Sequence, residues 1–229
     1  MKFIPDYLQG DIHLGEHGMF KITYSHFFDS MEKYEAEFIK RYNEKVKSDN
    51  KIVLFTGDLG RKDAIERVLP QLKGRKFLIL GNHDNYAKAF YEKYFEEVFS
   101  TPVWLQARVV VSHIPVPVED GVLNIHSHTH FVNLDSKNHW NICPEWHNFT
   151  PVLYKKVQGK LSKLEKPNYH FCYEWYKDIQ LYEGPGIRDD LIFSEEKENL
   201  IDADKTLAEK YRKIAASNRM QDGKSFDDD

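Results

Sequence analysis

The chain has 229 residues, 41% of them hydrophobic, which is enough for one sizeable core plus an extension and too apolar for a chain disordered throughout. Thirty-two Lys and Arg against 36 Asp and Glu leave a net charge of −4, so no global basic field marks nucleic acid as an obligatory partner. The opening "MKFIPDYLQGDIHLG" has too short an apolar run for a signal peptide, and no stretch approaches the roughly 18 apolar residues of a membrane span, so a cytoplasmic protein with no membrane contact is expected. After this opening, Phe27, Met31, Tyr34, Phe38, Tyr42 and Val46 recur at spacings of three and four, which predicts a helix with Asp29 or Ser30 as N-cap. "KIVLFTGD" (51–58) and "KFLILGNHD" (76–84) read as buried strands, separated by a second helix over Asp63–Lys73 that Gly74 stops and Pro70 can kink. "RVVVSH" (108–113) and "GVLNIHSHTH" (121–130) repeat the strand pattern. Strands alternating with helices predict an α/β fold, in which ligands gather beyond the carboxyl ends of the strands.

Those ends carry the chemistry. Six of the eleven histidines fall between His113 and His147, a density that a solvated surface does not explain. Asp11, His13, Asp58, Asn82, His113, His128 and His130 offer carboxylate, amide and imidazole donors without a thiolate, a set suited to Mn, Fe, Zn or Ni. Two ions need about that many protein donors and one carboxylate able to bridge, and Asp58, after the most strand-like run, is the natural bridge. His126, His128 and His130 alternate at period two, so an extended segment would point all three to one face and spacing cannot choose between them. Cys143 and Cys172 form no metal-type pair and read as reduced packing residues.

The ordered series "GDIHLG", "TGDLG", "LGNHD", "VVVSH" and "HSHTH" resembles the five signatures of the calcineurin-like metallophosphoesterase superfamily, over roughly residues 1–153. Through "HWNICPEWHNFTPV" the chain further resembles a group of small bacterial and phage phosphoesterases. The resemblance implies two mixed β-sheets in a sandwich flanked by helices. It places the first metal on Asp11, His13 and His130 and the second on Asn82, His113 and His128, with Asp58 between them. It assigns His83 to the leaving group, Asp84 to orienting His83, and Gly81 to a sharp turn beneath the metals. Ser127 departs from the glycine common in relatives, which matters only if that residue needs a positive φ. His126 is left as a supporting or packed histidine, His17 as a substrate-pocket candidate, and His139, His147 and His170 as structural.

The expected activity is hydrolysis of a small phosphoester, a nucleotide-like diester, by a metal-activated water, with two divalent transition-metal ions and Mn foremost. A phosphomonoesterase with the same site is the enzymatic alternative, and a non-catalytic protein-binding scaffold the alternative of another class. A monomer is expected, with a dimer as the alternative. Residues 154–229 read as an extension: a solvated Lys-rich connector (154–166), an aromatic stretch (169–176), an amphipathic helix over Leu200–Ile214 and a frayed tail.

Overall fold

The computed structural model describes residues 3–165, so the readings made for 169–176, the Leu200–Ile214 helix, His170 and Cys172 lie outside the described residues. Strands β1 (Tyr7–Gln9), β2 (Ile52–Phe55), β3 (Arg75–Ile79), β4 (Glu97–Phe99) and β9 (Val152–Leu153) form one sheet in the order β4-β3-β2-β1-β9. All its pairs are parallel except β1 with β9. Strands β5 (Val103–Gln106), β6 (Val109–Val111), β7 (Leu123–His126) and β8 (His139–Asn141) form the second sheet in chain order, with β5–β6 antiparallel and the rest parallel. Two mixed sheets and a helical layer match the architecture that the sequence implied.

The strand pleat sorts the core into two layers. Leu54 of β2 and Phe77 and Ile79 of β3 face the second sheet, where they meet Val109, Val111, Leu123 and Ile125. Their neighbours Val53, Phe55 and Leu78 face the other way, onto helix α2 (Met31–Val46) and helix α3 (Lys62–Val68). Helix α2 follows the predicted stripe: Tyr34, Phe38 and Tyr42 are fully buried, and each large apolar side chain so placed contributes about 1.5–3 kcal/mol. Ser30 is the cap, its hydroxyl accepting the Lys33 N–H. Phe27 falls outside the helix and is half exposed, because the chain before Ser30 turns in a short 3-10 segment, Tyr24–His26.

Two further boundaries differ from the sequence reading. The second helix ends at Val68 and continues only as a 3-10 turn over Leu69–Gln71, since Pro70 has no N–H to extend the α-helical ladder. Residues 154–165 are docked rather than solvated: Tyr154, Val157 and Leu164 are buried in the inter-sheet core, Val157 opening helix α5 (Val157–Leu161), while the lysines between them stay outside. Helix α1 (His17–Ile22) buries none of its residues, and helix α4 (Lys88–Tyr91) packs Phe90 and Tyr91 beside β3 and β4.

Candidate metal centre

The helical layer fixes the loops that follow the strands. The Tyr24 hydroxyl donates to the Asp11 carbonyl at 2.8 Å, and the Tyr34 hydroxyl, from α2, to the Ile12 carbonyl at 2.6 Å. Asp11 follows β1, Asp58 follows β2, Asn82 follows β3, His113 follows β6, and His128 and His130 follow β7. His13, Asp58, His128 and His130 all have positive φ, at 39°, 49°, 64° and 44°. Non-glycine residues there cost on the order of 1–3 kcal/mol each, strain that concentrates where side chains must be aimed. The chain past His126 is therefore not extended, and the expected period-two alternation of three histidines on one face does not hold. Gly81 is required for closeness rather than for turning: its φ is ordinary, but a Cβ would collide with the Asp58 carboxylate.

The seven sequence candidates converge into two adjoining clusters. In the first, His13 Nε2 lies 3.2 Å from His130 Nε2 and 3.7 Å from Asp58 Oδ2, and His130 Nε2 lies 3.7 Å from Asp11 Oδ2. In the second, His113 Nε2 lies 2.8 Å from Asn82 Oδ1, 3.2 Å from His128 Nδ1 and 3.3 Å from Asp58 Oδ2. Asp58 Oδ2 belongs to both, the position a bridging ligand would take. Asp11 and His13 are fully buried, and Asp58 and His113 nearly so.

Around these donors stands a layer of partners that sequence reasoning missed. His13 Nδ1 meets Glu16 Oε2 at 3.1 Å, His130 Nδ1 meets Glu145 Oε1 at 2.7 Å, and His113 Nδ1 meets the Thr56 carbonyl at 2.7 Å. Each partner is an acceptor, so each Nδ1 carries the hydrogen and leaves Nε2 a lone pair aimed into the cluster. Glu16 lies three residues past His13, a local signal that could have been read. Glu145 is fifteen residues from His130 and nothing near it announces the pairing.

A divalent cation fits this arrangement. With three Nδ1 hydrogens already committed, the His13–His130 approach puts two lone pairs face to face, which repel unless a cation lies among them. Asp11 Oδ1 is buried without a hydrogen-bond partner among the described residues, the nearby His113 hydrogen being directed at Thr56 instead. In the metal-free protein protons do this work. Burial opposes the charged imidazole of His130, yet the Glu145 carboxylate, with Asp11 and Asp58, raises it to about 9. His113 is likewise raised against its burial, chiefly by Asp11. Burial alone would raise Asp11, but His113, His130 and His13 hold it well below the usual carboxylate range.

His83 stands beside the first cluster with its side chain 41% exposed and its ring 5.2 Å from that of His13, while its backbone N–H donates to Asp58 Oδ1 at 2.9 Å. Its carboxylate partner is Glu16, whose Oε2 lies 3.3 Å from His83 Nδ1. That hydrogen bond raises the His83 pKa above its ordinary value, with burial opposing. The orienting role expected of Asp84 is not what the structure shows. Asp84 Oδ2 accepts the N–H groups of Asp58 and Gly81, both at 2.9 Å, and Oδ1 accepts that of Leu59 at 3.0 Å, so its carboxylate clamps the two loops together.

The remaining histidines separate by their partners. His126 is buried, gives Nδ1 to the Ser127 carbonyl at 2.9 Å, and is pushed down to about 4 by burial, a packed neutral ring. Ser127 has no positive φ, and its hydroxyl shares hydrogen bonds with Thr56, so serine is accommodated where glycine was the comparison. His139 bonds Ser136 and Val116, and His147 the Asn141 carbonyl, as structural residues do. His17 lines a separate groove with Met31, Glu32 and Arg61. Cys143 does more than pack: its Sγ is 3.7 Å from Asp11 Oδ2. It lies near His130 as well, but burial pushes the thiol pKa up, which makes it a hydrogen-bond donor to Asp11 rather than a thiolate ligand.

A two-sheet sandwich with paired nitrogen and oxygen donor clusters at the strand ends is a scaffold suited to holding divalent metal. The family model described as calcineurin-like phosphoesterase matches residues 7–208, and the chain belongs to that family. Comparison with curated proteins gives no match. Among solved structures, a protein of unknown function from Aquifex aeolicus is similar at a TM-score of 0.53 and 20% identity, over 67% of this chain and 97% of that one, a likeness of fold alone. No helix among the described residues is long and apolar enough to cross a membrane.

Proposed function

We propose that the protein is a binuclear-metal phosphodiesterase acting on a nucleotide-like ester, with Mn as the favoured metal and the cytoplasm as its compartment. The observation that carries the reading is the convergence of the two clusters on Asp58 Oδ2, at 3.7 Å from His13 Nε2 and 3.3 Å from His113 Nε2. Asp11, His13 and His130 would hold one ion, Asn82, His113 and His128 the other, and Asp58 both. When bound, such a pair activates water, neutralises phosphate charge and steadies the attacking and leaving oxygens of an in-line displacement. The nitrogen and oxygen donor set supports Mn over softer ions, and the free buried thiol of Cys143 is in keeping with a reducing compartment.

The chain's own groups supply the rest. His83 holds a proton at the edge of the cluster and delivers it to the departing ester oxygen, a contribution typically of about 10²–10⁴-fold. Glu16 keeps His83 charged and aimed by accepting from its Nδ1. Asp84 holds the Asp58 and Asn82 loops at a fixed separation. Intact donors at all seven positions support an enzyme over a scaffold that has lost turnover.

The test is metal analysis of the full chain, followed by assay of Mn-loaded protein on matched 4-nitrophenyl mono- and diesters. Two ions per chain with faster turnover of the diester is the expected result. Faster monoester turnover would reassign the protein as a phosphatase, and absence of turnover with two ions bound would favour the scaffold.

A further inference from the structure

On the second-cluster side the structure has a pocket of about 330 Å³ to whose wall Asn82 and His113 both belong. We infer that this pocket receives an uncharged heterocyclic ring of the substrate, of nucleobase size, and so selects the organic group of the ester; the inference rests on the phosphodiesterase reading.

Charge decides what can enter. Among the described residues no Lys or Arg lines the pocket, so none of them would hold a second phosphate there, and a nucleoside polyphosphate is a poor occupant. Its one carboxylate among the described residues is Asp84, and both oxygens of Asp84 are taken by the N–H groups of Asp58, Gly81 and Leu59, so a cationic amine finds no free counter-charge on them. The occupant is neutral. Pro102, Ile114, Pro115 and Val116 provide apolar wall, and the mixture of largely apolar lining with a few polar groups is what ligand pockets present.

The polar groups narrow the class further. Ser100 and Thr101 hydroxyls lie on the exposed loop between β4 and β5, and Asn85 spends one amide hydrogen on the His83 carbonyl at 3.3 Å, leaving its carbonyl oxygen. Hydroxyls and a side-chain amide can answer the donors and acceptors on a heterocycle's edge, which a plain phenyl group lacks. The volume lies at the low end of the roughly 300–1,000 Å³ of small-molecule sites, room for one ring system rather than an extended chain. Asn82 and His113 also belong to the second donor cluster, so a ring held here stays within one ester linkage of the reacting phosphorus.

The experiment uses the Mn-loaded full chain and three diesters that share the 4-nitrophenyl leaving group and differ in the other substituent: methyl, phenyl or thymidine-5′. The wild type should prefer the thymidine ester to the phenyl ester by tenfold or more in kcat/KM, mainly through KM. Thr101→Trp, which adds bulk at an exposed pocket residue, should reduce the thymidine-to-methyl ratio about tenfold. Ser100→Ala with Thr101→Ala should reduce the thymidine-to-phenyl ratio without adding bulk. If the esters turn over but neither substitution changes the ratios, or phenyl equals thymidine, the pocket assignment is overturned while the phosphodiesterase stands. If no diester turns over, the phosphodiesterase reading fails and the inference falls with it.

Discussion

Glu16 holds both a proposed metal ligand and the proposed acid, so Glu16→Gln separates its role from that of Asp84. In the structure one oxygen, Oε2, serves His13 Nδ1 at 3.1 Å and His83 Nδ1 at 3.3 Å, and these two hydrogen bonds draw the Glu16 carboxyl down to about 2 against its burial. A glutamine keeps one acceptor oxygen but loses the negative charge that both imidazole hydrogens share, and with its amide N–H₂ turned toward the rings it cannot accept at all, so both rings are held more weakly. Loss of a partner behind a ligating histidine typically weakens metal binding about 10–100-fold, or about 1.4–2.8 kcal/mol at 1.36 kcal/mol per decade. Misplacing His83 should in addition slow esters with poor leaving groups by up to about 10²-fold, within the range of general acid catalysis. Metal content after dialysis against a graded series of Mn²⁺ concentrations reads the first effect, and kcat across a leaving-group series reads the second. Asp84→Asn is the counterpart: it removes charge from a buried acceptor of three N–H groups, worth roughly 3 kcal/mol, and should lower the melting temperature by about 6–12 °C with the leaving-group slope unchanged. A Glu16→Gln protein with wild-type Mn affinity and an unchanged slope, or an Asp84→Asn protein that alone alters the slope, would refute this division of labour.

Asp58→Asn should weaken both ions together, because Asp58 Oδ2 is shared by the two clusters, and elemental analysis that finds one site still full would contradict the bridge. Alanine at His128 or His130 should deplete metal, whereas His126→Ala should leave occupancy intact and lower only thermal stability, since His126 is buried with its Nδ1 held by the Ser127 carbonyl; the opposite pattern in metal analysis would overturn the ligand assignment. In the metal-free protein His130 titrates at about 9, above its ordinary 6.5, so the stability it contributes is complete below about pH 6.5 and lost as pH rises through 9. Melting temperature of the metal-free chain should therefore fall across that window, and adding Mn²⁺ at pH 7.5 should release protons in a pH-stat; neutral proton balance would show that His130 is not displaced from its proton by metal.

The donor residues were readable from the chain because each sits at the end of an apolar run. Asp11, Asp58, Asn82 and His113 lie within three residues of β1, β2, β3 and β6, and a strand's register alone delivers them to one edge of the sheets. The helix over Met31–Val46 was equally legible, its stripe and its Ser30 cap being local features. What the chain could not show were contacts made across sequence distance or by unusual backbone. Asp84 adjoins His83 in the sequence yet turns its carboxylate onto the N–H groups of another loop, while Glu16, sixty-seven residues away, takes the His83 ring. Glu145 finds His130 only because the chain folds back after β8. The alternation expected of His126, His128 and His130 failed because two of the three have positive φ, which residue type alone does not signal for histidine. The lysines of 154–165 suggested solvent, but it is the few apolar residues between them that meet the inter-sheet core. Residue type and spacing thus determined which groups could bind metal, and tertiary structure decided which partners aim them, because aiming depends on hydrogen bonds closed between loops that only the folded sheets bring together.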